Sequence, residues 1–346
     1  MPRHDSIVLY NATGISAADG SLEEVYPSTI FREEVGAVEE SLHSGGFNPY
    51  LLSVEYFSKE LVQTIAKISP KFVFNLCEEI DGNCEHEMSI AGLLDLMGIP
   101  YTGSGPLALG LALNKFRMKQ LLRAAGIPVA RGCLLSRGKA SVSFDVSFPV
   151  IVKPVQSDGS LGINSYSVCR DMEQLKNQVA YIHGIYQQDA LVEEYLDGRE
   201  FNVSIIGDQA PEVLAISEID FSGMPDWEPR IVSYRAKWDE ESVMYNCTIP
   251  ICPAEIPKRQ RERISDIALR SYQYIDCRDY ARIDMRTDSH GNLCVIEVNP
   301  NPDISPQAGF ARAARAAGYT YAQIILHISQ AAVERGLKAE TTVYAF

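Results

Sequence analysis

The stretch ARIDMRTDSHGNLCVIEVNPN, residues 281–301, restricts the fold more than any other part of the chain. Two apolar-rich runs flank the turn-forming cluster Asp288–Asn292, which predicts a β-hairpin. Strand side chains alternate, so Arg282, Asp284 and Arg286 share one face of the first strand, and Glu297 and Asn299 share one face of the second. A turn symmetric about His290 and Gly291 sets position 284 opposite 297 and position 282 opposite 299. Two carboxylates then face each other beside an amide and a guanidinium. Like charges opposite one another in a sheet repel, so the pair calls for a compensating ion. Mg2+ suits it, taking hard oxygen ligands from one or two carboxylates and completing its shell with water and phosphate. The alternative is a solvated hairpin face with ordinary salt bridges. The rigid Pro300 and Pro302, just after Asn299, weigh against it.

Upstream, the first hundred residues alternate apolar strands with amphipathic helices. Strands are expected at Ile7–Asn11, Pro49–Val54, Phe72–Leu76 and Ile99–Thr102, and helices at Phe31–His43, Lys59–Ile68 and Glu87–Met97. This alternation predicts a parallel α/β sheet. Next comes a helix at Asn114–Ala125, stopped by Gly126 and Pro128. Strands at Cys133–Ser136, Val150–Pro154, Ser165–Cys169 and Ala190–Leu196 follow around a helix at Asp171–Ile185. After Gly198 come strands at Phe201–Ile206 and Glu212–Ile219, a loop, a helix near Ile256–Tyr274, the hairpin and two closing helices.

A length of 346 residues suits two or three domains, here divided at 1–113, 114–198 and 199–346. The net charge of −14 argues against nucleic acid or an anionic membrane as the main partner. No apolar run approaches the ~18 residues needed to span a bilayer. The N-terminus MPRHDSIVLY does not read as a signal peptide. Eight scattered cysteines without a CxxC pair read as reduced thiols, so a cytoplasmic protein is expected.

Two further segments suggest chemistry. In VIVKPVQSDGSLGIN (150–164), a buried strand ends in Lys153, followed by a loop holding Gly159 and Ser160. Backbone N–H groups of such a loop, with a lysine beside them, bind phosphate, although an ordinary turn is the simpler reading of this segment alone. The Walker A spacing is absent. GSGPLA (103–108) fits GxGxxA but lacks the acidic residue some 20 positions on, which disfavours dinucleotide binding. In LVEEYLDGRE (191–200), an apolar strand ends in Glu193 and Glu194 ahead of a glycine turn and Glu200; alone, this reads as surface. Cys77, Cys84 and His86 match no zinc spacing.

Taken in order, these segments resemble the D-alanine–D-alanine ligase branch of the ATP-grasp superfamily. The resemblance is carried by LLDLMGIPYTGSGPLALGLALNKFRMKQLLRAAGIPVA (93–130), FPVIVKP, LVEEYLDGREFNV, YRAKW (234–238) and ARIDMRTDSHGNLCVIEVNPNPDIS, and covers roughly residues 70–330. It implies an N-terminal α/β domain followed by two ATP-grasp subdomains that clamp ATP. By that resemblance, Lys115 and Lys153 contact phosphates and the loop at Gly159 and Ser160 closes over them. Glu193, Glu194 and Leu196 lie along adenine, in part through backbone groups, and Glu200 binds the ribose hydroxyls. Lys237 approaches the terminal phosphate, Arg282 stabilises the reacting acyl centre, and Asp284, Glu297 and Asn299 hold two Mg2+ ions, or Mn2+.

The implied reaction joins a small-molecule carboxylate to an amine through an acyl phosphate, releasing ADP and phosphate. A divergent D-alanine–D-alanine ligase and a catalytically silent nucleotide-binding regulator are the alternatives, and a homodimer is compatible with either enzyme reading. Departures from the family concern the substrate end. NATGISAADGSLEEV (11–25) lacks the Glu-containing motif that grips the first ammonium, His-Gly becomes Cys77-Glu78, the loop serine becomes Gly159, and a carboxylate-binding serine falls near Ala308. Glu79 and Glu87 are the candidates to hold an amine instead.

Overall fold

The computed structural model describes residues 4–11, 28–138 and 147–343. Of the segment 11–25, only Asn11 falls within them. The N-terminal part comprises β1 (Ser6–Tyr10), α1 (Ser28–Ser44), β2 (Pro49–Ser53), α2 (Lys59–Ile68), β3 (Phe72–Leu76) and α3 (Glu87–Leu96). Its three strands are parallel in the order β2-β1-β3. Because β1 is central, both of its faces are buried: Val8 packs with Phe72, Phe74 and α1, while Ile7 and Leu9 pack with Val73, α2 and α3. The strand expected at Ile99–Thr102 contributes only a single parallel bridge, Tyr101 to Val73. Pro100 has no N–H to offer a ladder, and Gly103 turns the chain away at φ +86°.

Helices α4 (Pro106–Leu113) and α5 (Lys115–Ala124) lead into a second, wholly antiparallel sheet. It consists of β4 (Gly132–Leu135), β5 (Val150–Pro154), β6 (Val168–Cys169) and β7 (Ala190–Glu194), in the order β4-β7-β5-β6. Helix α6 (Met172–Tyr181), capped by the Asp171 side chain, packs on it. Val150, Val152, Cys169, Leu175, Ile182, Ala190 and Val192 form a core of their own.

The third sheet is β8 (Glu200–Ile206), β9 (Glu212–Asp220), β10 (Ile249–Ile251), β11 (Tyr280–Thr287) and β12 (Leu293–Asn299), antiparallel in the order β10-β9-β8-β11-β12. Short helices α7 (Tyr234–Trp238) and α8 (Val243–Asn246) precede β10; neither they nor β10 are apparent as elements in the sequence pattern. Helix α9 (Lys258–Tyr274) covers one face, where Phe201, Val203, Ile205, Ala281, Ile283 and Met285 meet Ile264, Ile267 and Tyr272. Met118 and Leu122 of α5 join this core rather than that of the second sheet. Helices α10 (Gly309–Ala316) and α11 (Tyr321–Val343) return to the N-terminal sheet, so that Phe310, Ile324 and Ile328 share a core with Val8, Val38 and Phe74.

Period-two alternation leaves Glu200, Asn202, Arg282, Asp284 and Arg286 on the face away from α9. On β12 the alternation is broken. Leu293 and Val295 face the core, yet so does Val298, because a register shift at Ile296 inserts one residue. That bulge turns Glu297 and Asn299 to the polar face.

Candidate active site

A cleft of about 1640 Å³ is lined by the polar face of the third sheet, the 156–163 loop, α7 and the start of α3. It exceeds the ~300–1,000 Å³ of ordinary ligand sites, leaving room for a nucleotide and small co-substrates together.

At one end β5 delivers Lys153, whose Nζ lies 2.8 Å from Glu193 Oε2; Lys119 pairs with the other oxygen of the same buried carboxylate. Lys115 begins α5, next to the Asn114 cap. A cation there opposes the helix dipole, but its Nζ sits 2.7 Å from Glu297 Oε1 and 3.2 Å from Asp158 Oδ1. Burial disfavours the charge, yet Glu297 and Asp158 outweigh it and raise the Lys115 pKa. The loop above reverses through Asp158, Gly159 and Ser160. Gly159 and Ser160 both adopt left-handed backbone, at φ +60° and +66°. The loop is tied to the opposite wall: the Ser160 hydroxyl donates to Val232 O at 2.8 Å, and Trp238 Nε1 donates to Gly159 O at 3.0 Å.

The hairpin pairs Asp284 with Glu297 and Arg282 with Asn299, as the sequence predicts. Arg282 Nε and Nη2 each donate to Asp284 at 2.8 Å, and Asn202 Nδ2 donates to Asp284 Oδ1 at 2.8 Å. Asn299 Nδ2 donates to Asp284 Oδ2 at 3.2 Å. Burial would raise the Glu297 pKa, but Lys115, Lys153 and Arg282 bring it down to about 2, so this carboxylate is ionised. Two carboxylates and an amide oxygen on facing strands fit Mg2+, with water and phosphate supplying the remaining ligands. Among the described residues no group of three or more His, Cys, Asp or Glu stands ready to hold a metal, so an ion here depends on such outside oxygens. Lys237 also lines the cleft; burial first, then Arg282, lowers its pKa.

The same cleft carries a group of acids. Glu34, Glu78, Glu87 and Asp303 all line it. Burial, reinforced by Asp303, pushes Glu78 up to about 8. Glu87 is raised well above its ordinary value by burial, although Asn301 Nδ2 donates to it at 3.0 Å.

The structure thus gathers Lys115, Lys153, Gly159, Ser160, Glu200, Lys237, Arg282, Asp284, Glu297, Asn299 and Glu87 around one cleft. Glu193, Glu194, Leu196 and Glu79 are not on its wall. Glu193 is consumed by its two lysines, Glu194 turns to Arg131 at 3.3 Å, and Leu196 is buried. Glu79 is a correction. Asn11 clamps the backbone at 78 and 79, accepting from Glu78 N at 2.8 Å and donating to Glu79 O at 2.9 Å, and it is Glu78 that reaches the cleft. Lys119 and Asn202 went unread, although each carries a signal: Lys119 is four residues from Lys115 on a helix, and Asn202 two from Glu200 on a strand.

Strands of the second and third sheets, with lysines and facing carboxylates on the cleft wall, make this an ATP-grasp carboxylate–amine ligase, an ATP- and Mg2+-dependent enzyme of C–N bond formation. The chain belongs to the D-alanine–D-alanine ligase family, whose C-terminal model (D-ala D-ala ligase C-terminus) matches residues 121–330. It is 30% identical to a D-alanine–D-alanine ligase of Desulforudis audaxviator over 86% of this chain and 92% of that protein. It is 35% identical to an uncharacterized protein of Sinorhizobium fredii over 80% of this chain and 81% of that one. The solved D-alanine–D-alanine ligase of Bacillus anthracis, complexed with ATP, superposes with a TM-score of 0.73 at 21% identity, covering 97% of this chain and 99% of the other. No helix among the described residues is long and apolar enough to cross a membrane.

Proposed function

We propose that the cationic end of the cleft handles nucleotide and the group of acids holds an amine-bearing substrate, so that the enzyme activates a small carboxylate, in our reading that of an amino acid, and couples it to an amine. The observation that carries this reading is the Asp284–Glu297 pair, with Arg282 and Lys115 on it and Lys153 at the same end. Lys115 and Lys153 bind phosphate oxygens, the Gly159–Ser160 loop covers them, and Glu200 receives the ribose hydroxyls. Glu193, Glu194 and Leu196 remain our assignment for adenine, through the backbone of that strand and its exit. Asp284, Glu297 and Asn299 hold the Mg2+, which neutralises charge on the phosphates when bound.

The substrate carboxylate attacks the γ-phosphoryl group, breaking its bond to the β-phosphate oxygen and giving acyl phosphate and ADP. The amine then attacks the acyl carbon, loses a proton and expels phosphate. Lys237 faces the transferred group and Arg282 the oxygen that gains charge at the acyl carbon. The tethered loop excludes water, which would hydrolyse the acyl phosphate. Of the acids, Glu78 and Glu87 receive the ammonium of the amine-bearing substrate.

Two features support a substrate pair other than two D-alanines: Glu78 in the cleft, and Ala308, without a hydroxyl, at its edge. A divergent D-alanine–D-alanine ligase is the second reading, favoured by the relative from Desulforudis audaxviator. In both, the division at 113 and 198 is our working domain scheme, and the enzyme is cytoplasmic, without a nucleic-acid partner; light scattering tests the homodimer. ADP release across a panel of carboxylates and amines, followed by mass spectrometry of the product, tests the proposal. Failure of every pair to release ADP above background refutes it.

A further inference from the structure

Arg286 has no part in the chemistry above, yet it lines the cleft while being only 5% exposed. It sits directly across from Glu200 in the β11–β8 pairing, and its Nη1 lies 3.3 Å from Glu200 Oε2. The rest of its guanidinium is fixed by the fold. Nε donates to Gly198 O at 3.3 Å and Nη2 donates to Arg230 O, a carbonyl that also receives the Tyr195 hydroxyl at 3.3 Å. The rings of Tyr195 and Phe221 flank it, each centroid 5.3 Å from Cζ. Glu200, 6% exposed, has no other ion-pair partner among the described residues.

The guanidinium is therefore held by the fold, and it is the one cation in ion-pair contact with the carboxylate among the described residues. We propose that Arg286 is a positioning residue that fixes Glu200 to read the ribose hydroxyls of the nucleotide, an inference that rests on the ribose role given to Glu200 above. The planar fork suits this task. One edge is spent on backbone carbonyls, one nitrogen is left for Oε2, and Oε1 of this cleft-lining residue is left as an acceptor for the ribose. A lysine at 286 offers a point charge and cannot hold both carbonyls and the carboxylate in one plane. The bland alternative is that Arg286 merely satisfies two carbonyls; it leaves ribose recognition untouched when the arginine is replaced.

Calorimetry of the full chain with Mg·ADP and Mg·2′-deoxy-ADP separates the two without any knowledge of the substrates. Wild type is expected to prefer ADP by roughly tenfold, the scale of a hydrogen bond to a charged group. Glu200→Ala and Arg286→Met are each expected to bring that ratio close to one by weakening ADP, with 2′-deoxy-ADP little changed, and the double variant adds no further loss. Wild-type discrimination in Arg286→Met, alongside its loss in Glu200→Ala, overturns the proposal and leaves the ribose reading standing. Discrimination that survives Glu200→Ala overturns the ribose reading and the proposal with it. Should Arg286→Met not fold, Arg286→Lys carries the test, and an unchanged ratio in that variant overturns the proposal.

Discussion

Asp284 lies directly across the β11–β12 pair from Glu297, and each carboxylate is held by a different cation, Arg282 for the first and Lys115 for the second. The like-charged pair is thus compensated without an ion, and an amide oxygen in place of either carboxylate still accepts from its cation, so a single neutralising substitution keeps the sheet and removes the charge that draws the metal. Asp284→Asn and Glu297→Gln are each expected to fold like wild type by circular dichroism and to lose ADP release by about 10²-fold or more, the usual scale for a charge-stabilising group. Turnover within a few-fold of wild type at saturating Mg·ATP in both variants rules the site out.

Lys153 is shared between the cleft and Glu193. Lys153→Ala leaves Glu193 paired with Lys119, so the protein keeps its fold while the nucleotide loses a charge-assisted hydrogen bond. ATP binding is expected to weaken by about 1.5–3 kcal/mol. Calorimetry on the variant checks this, and an unaltered affinity places the phosphates elsewhere.

Glu78 gives a pH signature. Its folded pKa, about 8, stands above the ordinary 4.5, so between these values the native state keeps a proton that the unfolded chain has released. Its contribution to stability is therefore full below about pH 4.5, declines as pH rises and is gone above about 8. Glu34 and Glu87 act in the same sense, so the wild-type slope is not Glu78's alone. Urea midpoints at pH 5, 7 and 9 isolate it: Glu78→Gln is expected to gain on wild type as pH rises. Parallel profiles for the two proteins refute the assignment.

D-alanine offered alone with Mg·ATP is expected to be a poor substrate. A doubly charged amino acid needs a partner for each charge to offset its desolvation, and Ala308 has no hydroxyl to give a second carboxylate. A kcat/KM above about 10⁴ M⁻¹s⁻¹ for dipeptide formation, ordinary for an enzyme on its own substrate, defeats this reading of the cleft.

How far the sequence carries is clearest at the hairpin. A symmetric turn predicts the 284–297 and 282–299 pairs, and both occur, but by a different route. The turn pairs Thr287 with Leu293, one residue tighter than symmetry about His290 and Gly291 allows, and the bulge at Ile296 restores the count. Asp288 enforces the tight turn, accepting from His290 N and Asn292 N at 2.9 and 2.8 Å. Nothing in an apolar isoleucine announces a bulge; it follows from the competing demands of core and cleft. The same limit explains the Glu78/Glu79 correction: their order in the chain is plain, but which of them faces the cleft depends on Asn11, more than sixty residues away. Helix α7 and strand β10 were hidden because each is too short to show a period.

The separate core of the second sheet has a thermodynamic consequence. Its seven buried apolar side chains are shared with neither the N-terminal nor the C-terminal cluster. The loop it carries is fastened across the cleft by polar contacts: Ser160 to Val232, Trp238 to Gly159, Tyr234 to Ile163 and Lys115 to Asp158. Releasing these exchanges hydrogen bonds with water and bares little hydrocarbon, so parting the two halves carries little of the heat-capacity increment that accompanies unfolding. Where release of the loop limits them, admission of nucleotide and escape of ADP are expected to follow a nearly straight Arrhenius line across temperatures where the stability of the whole chain is strongly curved.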